Sequence, residues 1–171
     1  MKTNANSRYT VAVLIDGDNA SFERMEDIMG FVSRYGDAVV RRIYGDWTRK
    51  ALSAWKESAR EHGFRLVQAS SHVPGKNTTD IALVIDAMDI LRDGQVDCFC
   101  LVASDGDYSL LAQRIREAGV KVLGYGEGYP ILPDLILLLP SRWGGSAYHP
   151  KLYKQWYIHC FLRVSGKAGS A

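Results

Sequence analysis

Five apolar runs of strand length, separated by segments with helical spacing, constrain the fold of this chain more than any other feature. The apolar runs lie at 11–15, 38–44, 64–69, 97–103 and 120–125. The segments whose apolar residues recur every three or four positions lie at 21–35, 48–62, 78–91 and 107–118. Strands that alternate with helices of this length form parallel sheets with right-handed crossovers. The sequence therefore predicts an α/β fold with a doubly wound sheet of about five strands.

Carboxylates follow two of the predicted strands in the same pattern. The first strand ends in Asp16-Gly17-Asp18, and the fourth is followed by Asp105-Gly106-Asp107. Doubly wound sheets bind ligands beyond the carboxyl ends of their strands, where the strand order reverses, so we expect these acids to meet there. Asp80 belongs to the same group because it lies in the first turn of the third predicted helix. Taken singly, each acid is also explained as a turn former or as a favourable charge at a helix N-terminus.

As a cluster, the acids favour a metal site. Carboxylates only a few ångströms apart repel one another, so some must be protonated or share a cation. A site made of carboxylate oxygens suits Mg²⁺ or Mn²⁺ and leaves coordination positions for water and phosphate oxygens. Such an ion can activate a water molecule against a phosphodiester. A covalent nucleophile is not indicated, since Ser104 has no evident histidine base.

Three segments, "LIDGDNAS", "KNTTDIALVIDAMDIL" and "LVASDGDYSLLAQRIREAGVKVLGYGEG", resemble an NYN domain of the bacterial LabA-like group, a branch of the PIN-like nucleases. The resemblance covers residues 9–128. It implies a PIN-like (Rossmann-like) three-layer sandwich with a central parallel sheet. It also implies an acidic site that binds Mg²⁺ or Mn²⁺ and hydrolyses RNA.

The resemblance carries over to individual residues. The acids implied as metal ligands and catalytic residues are Asp16, Asp80, Asp105 and Asp107. Asn19 matches the asparagine after the first motif, where it would orient substrate or water. Asp18 is expected to lie next to the metal ligands and support them without binding the ion. Lys76 is expected to contact phosphate or simply to be solvated, and Ser104 is expected to lie beside the substrate.

Two aromatic residues at the end of the second predicted strand have two interpretations. Tyr44 and Trp47 flank Asp46, where aromatic rings could stack on the unpaired bases of single-stranded RNA. Trp47 could equally cover an edge of the core. We treat both residues as candidate substrate-binding residues.

Residues 129–171 form an atypical C-terminal segment that departs from the family pattern after Gly128. This segment is basic, with five lysines and arginines against the single acid Asp134, and it is rich in aromatic residues. That mixture suits contact with RNA or packing against a second copy of the chain in a homo-oligomer. The regular alternation of strands and helices does not continue here.

The composition excludes several classes of protein. Hydrophobic residues make up 47% of the chain and charged residues 23%, which is typical of a globular domain. Three cysteines without CxxC or Cys/His spacing argue against a disulfide framework and a structural zinc site. With no apolar run of about 20 residues and no signal-type N-terminus, we expect a cytoplasmic protein without a membrane partner.

Two other functions remain open at this point. In a haloacid-dehalogenase-type phosphatase, Asp16 would be the nucleophile and Asp18 the acid/base, although Ala20 stands where that motif has threonine. A PIN-like fold can also be a non-catalytic RNA-binding or regulatory module. The metal-dependent ribonuclease is favoured, since the threonine of the phosphatase motif is missing and the intact acids argue against loss of activity.

Overall fold

The computed structural model describes residues 8–69, 77–103 and 108–126, which form a five-stranded sheet and four α-helices. The strands are β1 (Tyr9–Asp16), β2 (Gly36–Gly45), β3 (Arg65–Gln68), β4 (Cys98–Val102) and β5 (Lys121–Tyr125). The helices are α1 (Met25–Ser33), α2 (Ala54–His62), α3 (Thr78–Asp93) and α4 (Ser109–Glu117). Short 3-10 turns, Phe22–Arg24 and Lys50–Leu52, precede α1 and α2. The described residues all belong to one compact unit.

The strand order is β3-β2-β1-β4-β5, and every neighbouring pair is parallel. From β1 the chain moves outward through β2 to β3, and it then returns to the other side of β1 to form β4 and β5. The order therefore reverses between β1 and β4. This confirms the predicted doubly wound α/β fold and places its switch point beside the carboxyl end of β1.

The central strand is buried on both faces, which explains its unbroken apolar run. Val11, Val13 and Ile15 pack in one core cluster with residues of α1 and α2. Ala12 and Leu14 pack in a second cluster with residues of α3 and α4. The sheet thus lies between two helical layers, as in a three-layer sandwich. β1 therefore has no exposed face between Val11 and Asp16.

The helices end close to the predicted positions. Gly63 follows α2 with φ 67° and Gly94 follows α3 with φ 65°, a left-handed conformation that glycine adopts without steric cost. Within the described ranges, no helix combines the length and the hydropathy needed to cross a bilayer.

Candidate active site at the switch point

Asp16, the last residue of β1, has a side chain with no solvent-exposed surface. Its carboxylate is held by the turn that follows the strand. Oδ1 accepts hydrogen bonds from the backbone N–H groups of Asp18 (3.0 Å) and Asn19 (3.3 Å). Oδ2 accepts a bond of 2.9 Å from the side-chain amide of Asn19. The Asn19 amide thus orients the Asp16 carboxylate directly, and the predicted contact of Asn19 with substrate or water stays a prediction.

Asp80, in the first turn of α3, is joined to Asp16 by the hydroxyl of Tyr108. That hydroxyl lies 3.0 Å from Asp16 Oδ2 and 2.7 Å from Asp80 Oδ1. Asp16 Oδ2 and Asp80 Oδ1 are therefore separated by no more than the sum of these two distances. Asn77 stands at the N-cap of α3, but within the described part of the chain its side chain makes no capping hydrogen bond. Asp80 therefore both lies in the first turn of α3 and shares the Tyr108 hydroxyl with Asp16.

The electrostatics of Asp16 are those of a carboxylate removed from water. Burial raises the pKa of Asp16 above the ordinary value of 3.8. Hydrogen bonds from Asn19 and Tyr108 lower this pKa, and the nearby charge of Asp80 raises it. Burial also raises the pKa of Tyr108, and the charge of Asp16 adds to that rise, so the hydroxyl keeps its proton. A positive ion between the acids would relieve the cost of both negative charges.

Asp18 lies beside the two acids and contacts two other segments of the chain. Its Oδ1 forms an ion pair of 2.8 Å with Arg49, and its Oδ2 accepts a hydrogen bond of 2.6 Å from Thr79 at the start of α3. Both carboxylate oxygens of Asp18 thus have partners within the protein, and its supporting role at a metal site stays a prediction. The Arg49 side chain is 56% exposed and lies on the open side of this contact.

Tyr44 was predicted to contact substrate, and the structure places it elsewhere. Its side chain has no exposed surface and packs in the cluster that contains Leu14 and Leu83. Its hydroxyl donates a hydrogen bond of 2.5 Å to Asp86, which also forms an ion pair with Arg42. A ring without exposed surface has no face to offer a base, so stacking is not available to Tyr44.

Trp47 covers an edge of the core, which is the second of the two interpretations given for it from the sequence. The partly buried ring contacts the core cluster of α1 and α2, and its indole N–H donates a bond of 2.9 Å to the carbonyl of Val67. A Cβ atom on Gly17 or Gly45 would lie 3.1 Å or 3.2 Å from this ring. The ring therefore covers two glycines at the edge of the sheet.

Several predicted site residues lie outside the described residues. They are Lys76, Ser104, Asp105 and Asp107, together with the C-terminal segment 129–171. Among residues 8–69, 77–103 and 108–126, no group of three or more His, Cys, Asp or Glu side chains is arranged to hold a metal ion. Asp16 and Asp80 nevertheless provide carboxylate oxygens, the ligand type that Mg²⁺ and Mn²⁺ prefer.

Sequence reasoning missed the roles of two residues at or near the site. Tyr108 directly follows the second acidic motif and begins an amphipathic helix, and a tyrosine that packs at such a position usually needs a polar partner for its hydroxyl. Asp86 lies on α3 at an angle that differs from that of Asp80. Asp86 pairs instead with residues of β2. An acid within an apolar helix itself indicates that its charge has a partner.

Comparison with known proteins supports this view of the fold. The family model of the NYN domain matches residues 10–134. The crystal structure of VPA0982, a protein of unknown function from Vibrio parahaemolyticus RIMD 2210633, superposes with a TM-score of 0.58 at 23% identity. The match covers 78% of this chain and 91% of that one. No curated protein matches the sequence. Because the family match runs from the second residue of β1 past the end of β5, the chain belongs to the NYN domain family.

Proposed function

We propose that the protein is a metal-dependent ribonuclease of the LabA-like group, which hydrolyses phosphodiester bonds of single-stranded RNA. The NYN domain belongs to the PIN-like nuclease superfamily, whose members usually use divalent metals. The observation that carries the proposal is the pairing of a buried Asp16 with Asp80 at the switch point. Holding a buried carboxylate beside a second acid is costly unless a cation or a proton compensates the charge.

The chain would hold Mg²⁺ or Mn²⁺ through Asp16 and Asp80, with Asp105 and Asp107 completing the set. The last two follow β4 in the sequence, and β4 is the strand beside β1, which supports including them in the set. When bound, the ion would supply an activated water and neutralise charge on the phosphate. Asn19 and the backbone of the 16–19 turn fix the Asp16 carboxylate, and the ion pair with Asp18 fixes Arg49 beside it.

The family match favours a nuclease over a haloacid-dehalogenase-type phosphatase. That alternative needs a threonine two residues after the second aspartate of its motif, where this chain has Ala20. An aspartyl-phosphate trapped on Asp16 would establish the phosphatase and overturn the proposal.

The experiment compares cleavage of end-labelled single-stranded RNA with Mn²⁺ and with EDTA. Wild-type protein should cleave only with the metal, and Asp16→Asn and Asp80→Asn should each lower the rate by roughly two orders of magnitude or more. Asp89→Asn is the matched control, because Asp89 is an exposed acid on the same helix as Asp80 whose partner is Arg92. RNA binding without any cleavage would instead support a regulatory module.

A further inference from the structure

The Asp16 carboxylate contacts as many donors as it has acceptor positions, and one of these donors, the Tyr108 hydroxyl, is shared with Asp80. A carboxylate offers about four lone-pair sites, and four donors reach Asp16: the N–H groups of Asp18 and Asn19, the Asn19 amide, and the hydroxyl of Tyr108. A cation that binds this carboxylate directly must therefore take the place of one donor.

The four donors are not equally fixed. Three of them come from residues two or three positions after Asp16, and the turn itself holds them in place. The fourth comes from Tyr108, which is 92 residues away in sequence and begins a different helix. Moving the Tyr108 hydroxyl requires no change in the turn, whereas displacing the others would undo it.

The Tyr108 hydroxyl also occupies the position that a shared cation needs. It lies between Asp16 and Asp80, and its single hydrogen serves two carboxylates. Mg²⁺ lies about 2.1 Å from its oxygen ligands. The hydroxyl oxygen lies farther than that from each of the two acids. The ion and the hydroxyl cannot both lie between the two carboxylates.

We propose that the Tyr108 hydroxyl is a displaceable bridge, which holds Asp16 and Asp80 together in the metal-free protein and gives up its place to a divalent cation. The inference rests on the proposed function, because it assumes that the two acids bind the ion. Tyr108 is then a positioning residue that sets metal affinity, and it lowers that affinity by competing with the ion.

Tyr108→Phe tests the bridge, because it removes the hydroxyl and keeps the ring. Tyr44→Phe is a matched control: Tyr44 is also buried and also donates to an aspartate, but that aspartate is Asp86. Binding of Mn²⁺ alone is measured by isothermal titration calorimetry on the full chain. Circular dichroism verifies that each variant is folded.

Tyr108→Phe should bind Mn²⁺ roughly threefold to tenfold more tightly than wild type, as expected when one competing hydrogen bond is lost. Tyr44→Phe should bind as wild type does. In EDTA, Tyr108→Phe should unfold at a lower temperature than wild type, and saturating Mn²⁺ should raise its unfolding temperature by a larger interval.

Equal or weaker Mn²⁺ binding by Tyr108→Phe would overturn the bridge. If Asp16→Asn still abolished binding in that case, the proposed metal site would stand without it. If Asp16→Asn bound Mn²⁺ as tightly as wild type, or if neither wild type nor Tyr108→Phe bound it, the bridge and the proposed metal site would fall together.

Discussion

The backbone N–H of Gly17 donates a hydrogen bond of 2.8 Å to the carbonyl oxygen of Tyr44, which continues the pairing of β1 and β2 one residue beyond Asp16. The carbonyl of Gly17 in turn accepts a bond of 3.1 Å from the indole of Trp55 in α2. Both backbone groups of the residue after Asp16 are thus satisfied. The acid is held by the strand before it and by the turn after it.

Gly17→Ala should destabilise the protein by about 1–3 kcal/mol, because its Cβ would lie 2.9 Å from the Tyr44 carbonyl oxygen. The contact is with backbone, which cannot rotate away. Gly30→Ala is the control, since nothing lies within 4 Å of its added Cβ in α1, and it should stabilise the protein by about 0.5–1 kcal/mol. Urea unfolding measures both changes, and equal stability of the two variants would contradict this account of Gly17.

Asp86→Ala should lower the free energy of unfolding by roughly 2 kcal/mol, because it leaves the buried Tyr44 hydroxyl and the Arg42 guanidinium without their shared partner. Asp89→Ala should change it by no more than about 0.5 kcal/mol, since its pair with Arg92 is exposed. Urea unfolding of the two variants provides the comparison. A small effect of Asp86→Ala would show that water replaces this contact.

His62 should make stability depend on pH near neutrality. A hydrogen bond to the Ser58 carbonyl raises the pKa of His62 above 6.5, burial opposes the rise, and Glu26 adds to it. The protonated ring is therefore favoured in the folded state. Its contribution is fully present below pH 6.5 and is lost as the pH rises through the raised pKa.

His62→Gln removes this dependence and keeps a hydrogen-bonding side chain. The difference in unfolding free energy between wild type and variant should be larger at pH 5.5 than at pH 8.5, by about 0.5 kcal/mol for a charge at a helix C-terminus. A difference that stays constant with pH would contradict the shift.

Arg49→Ala should weaken binding of single-stranded RNA and reduce its dependence on salt by about one phosphate contact. Arg49 uses one nitrogen for Asp18 and remains largely exposed beside the acids. Fluorescence anisotropy in EDTA measures binding without cleavage. Arg92→Ala is the control, because Arg92 lies near the far end of α3, about 18 Å along the helix from Asp80. Equal loss in both variants would indicate only a general effect of charge.

The sheet could be predicted from the sequence because β1 and β4 are buried on both faces and show uninterrupted apolar runs. The location of Asp16 followed from the same pattern, since a parallel strand that ends in an acid delivers it to the carboxyl edge. Helix starts were less accurate: 3-10 turns precede α1 and α2, and their residues share the apolar spacing of the helices.

Contacts between side chains could not be predicted from periodicity. Tyr44 and Trp47 stand at a strand end, where exposed and buried aromatic residues look the same in sequence. Only the position of α3 shows that Tyr44 lies beneath that helix and is paired with Asp86. The same holds for Tyr108, whose two acceptors are 92 and 28 residues away.

These long separations have a consequence for synthesis of the protein. The site is assembled from residues that end or follow three different strands: Asp16, Asp80 and Tyr108. A nascent chain from which only β1 and β2 have emerged therefore contains Asp16 without Asp80 or Tyr108. The proposed ribonuclease activity would then belong only to the finished molecule, and a truncated product released early from the ribosome would be harmless to the message that encoded it.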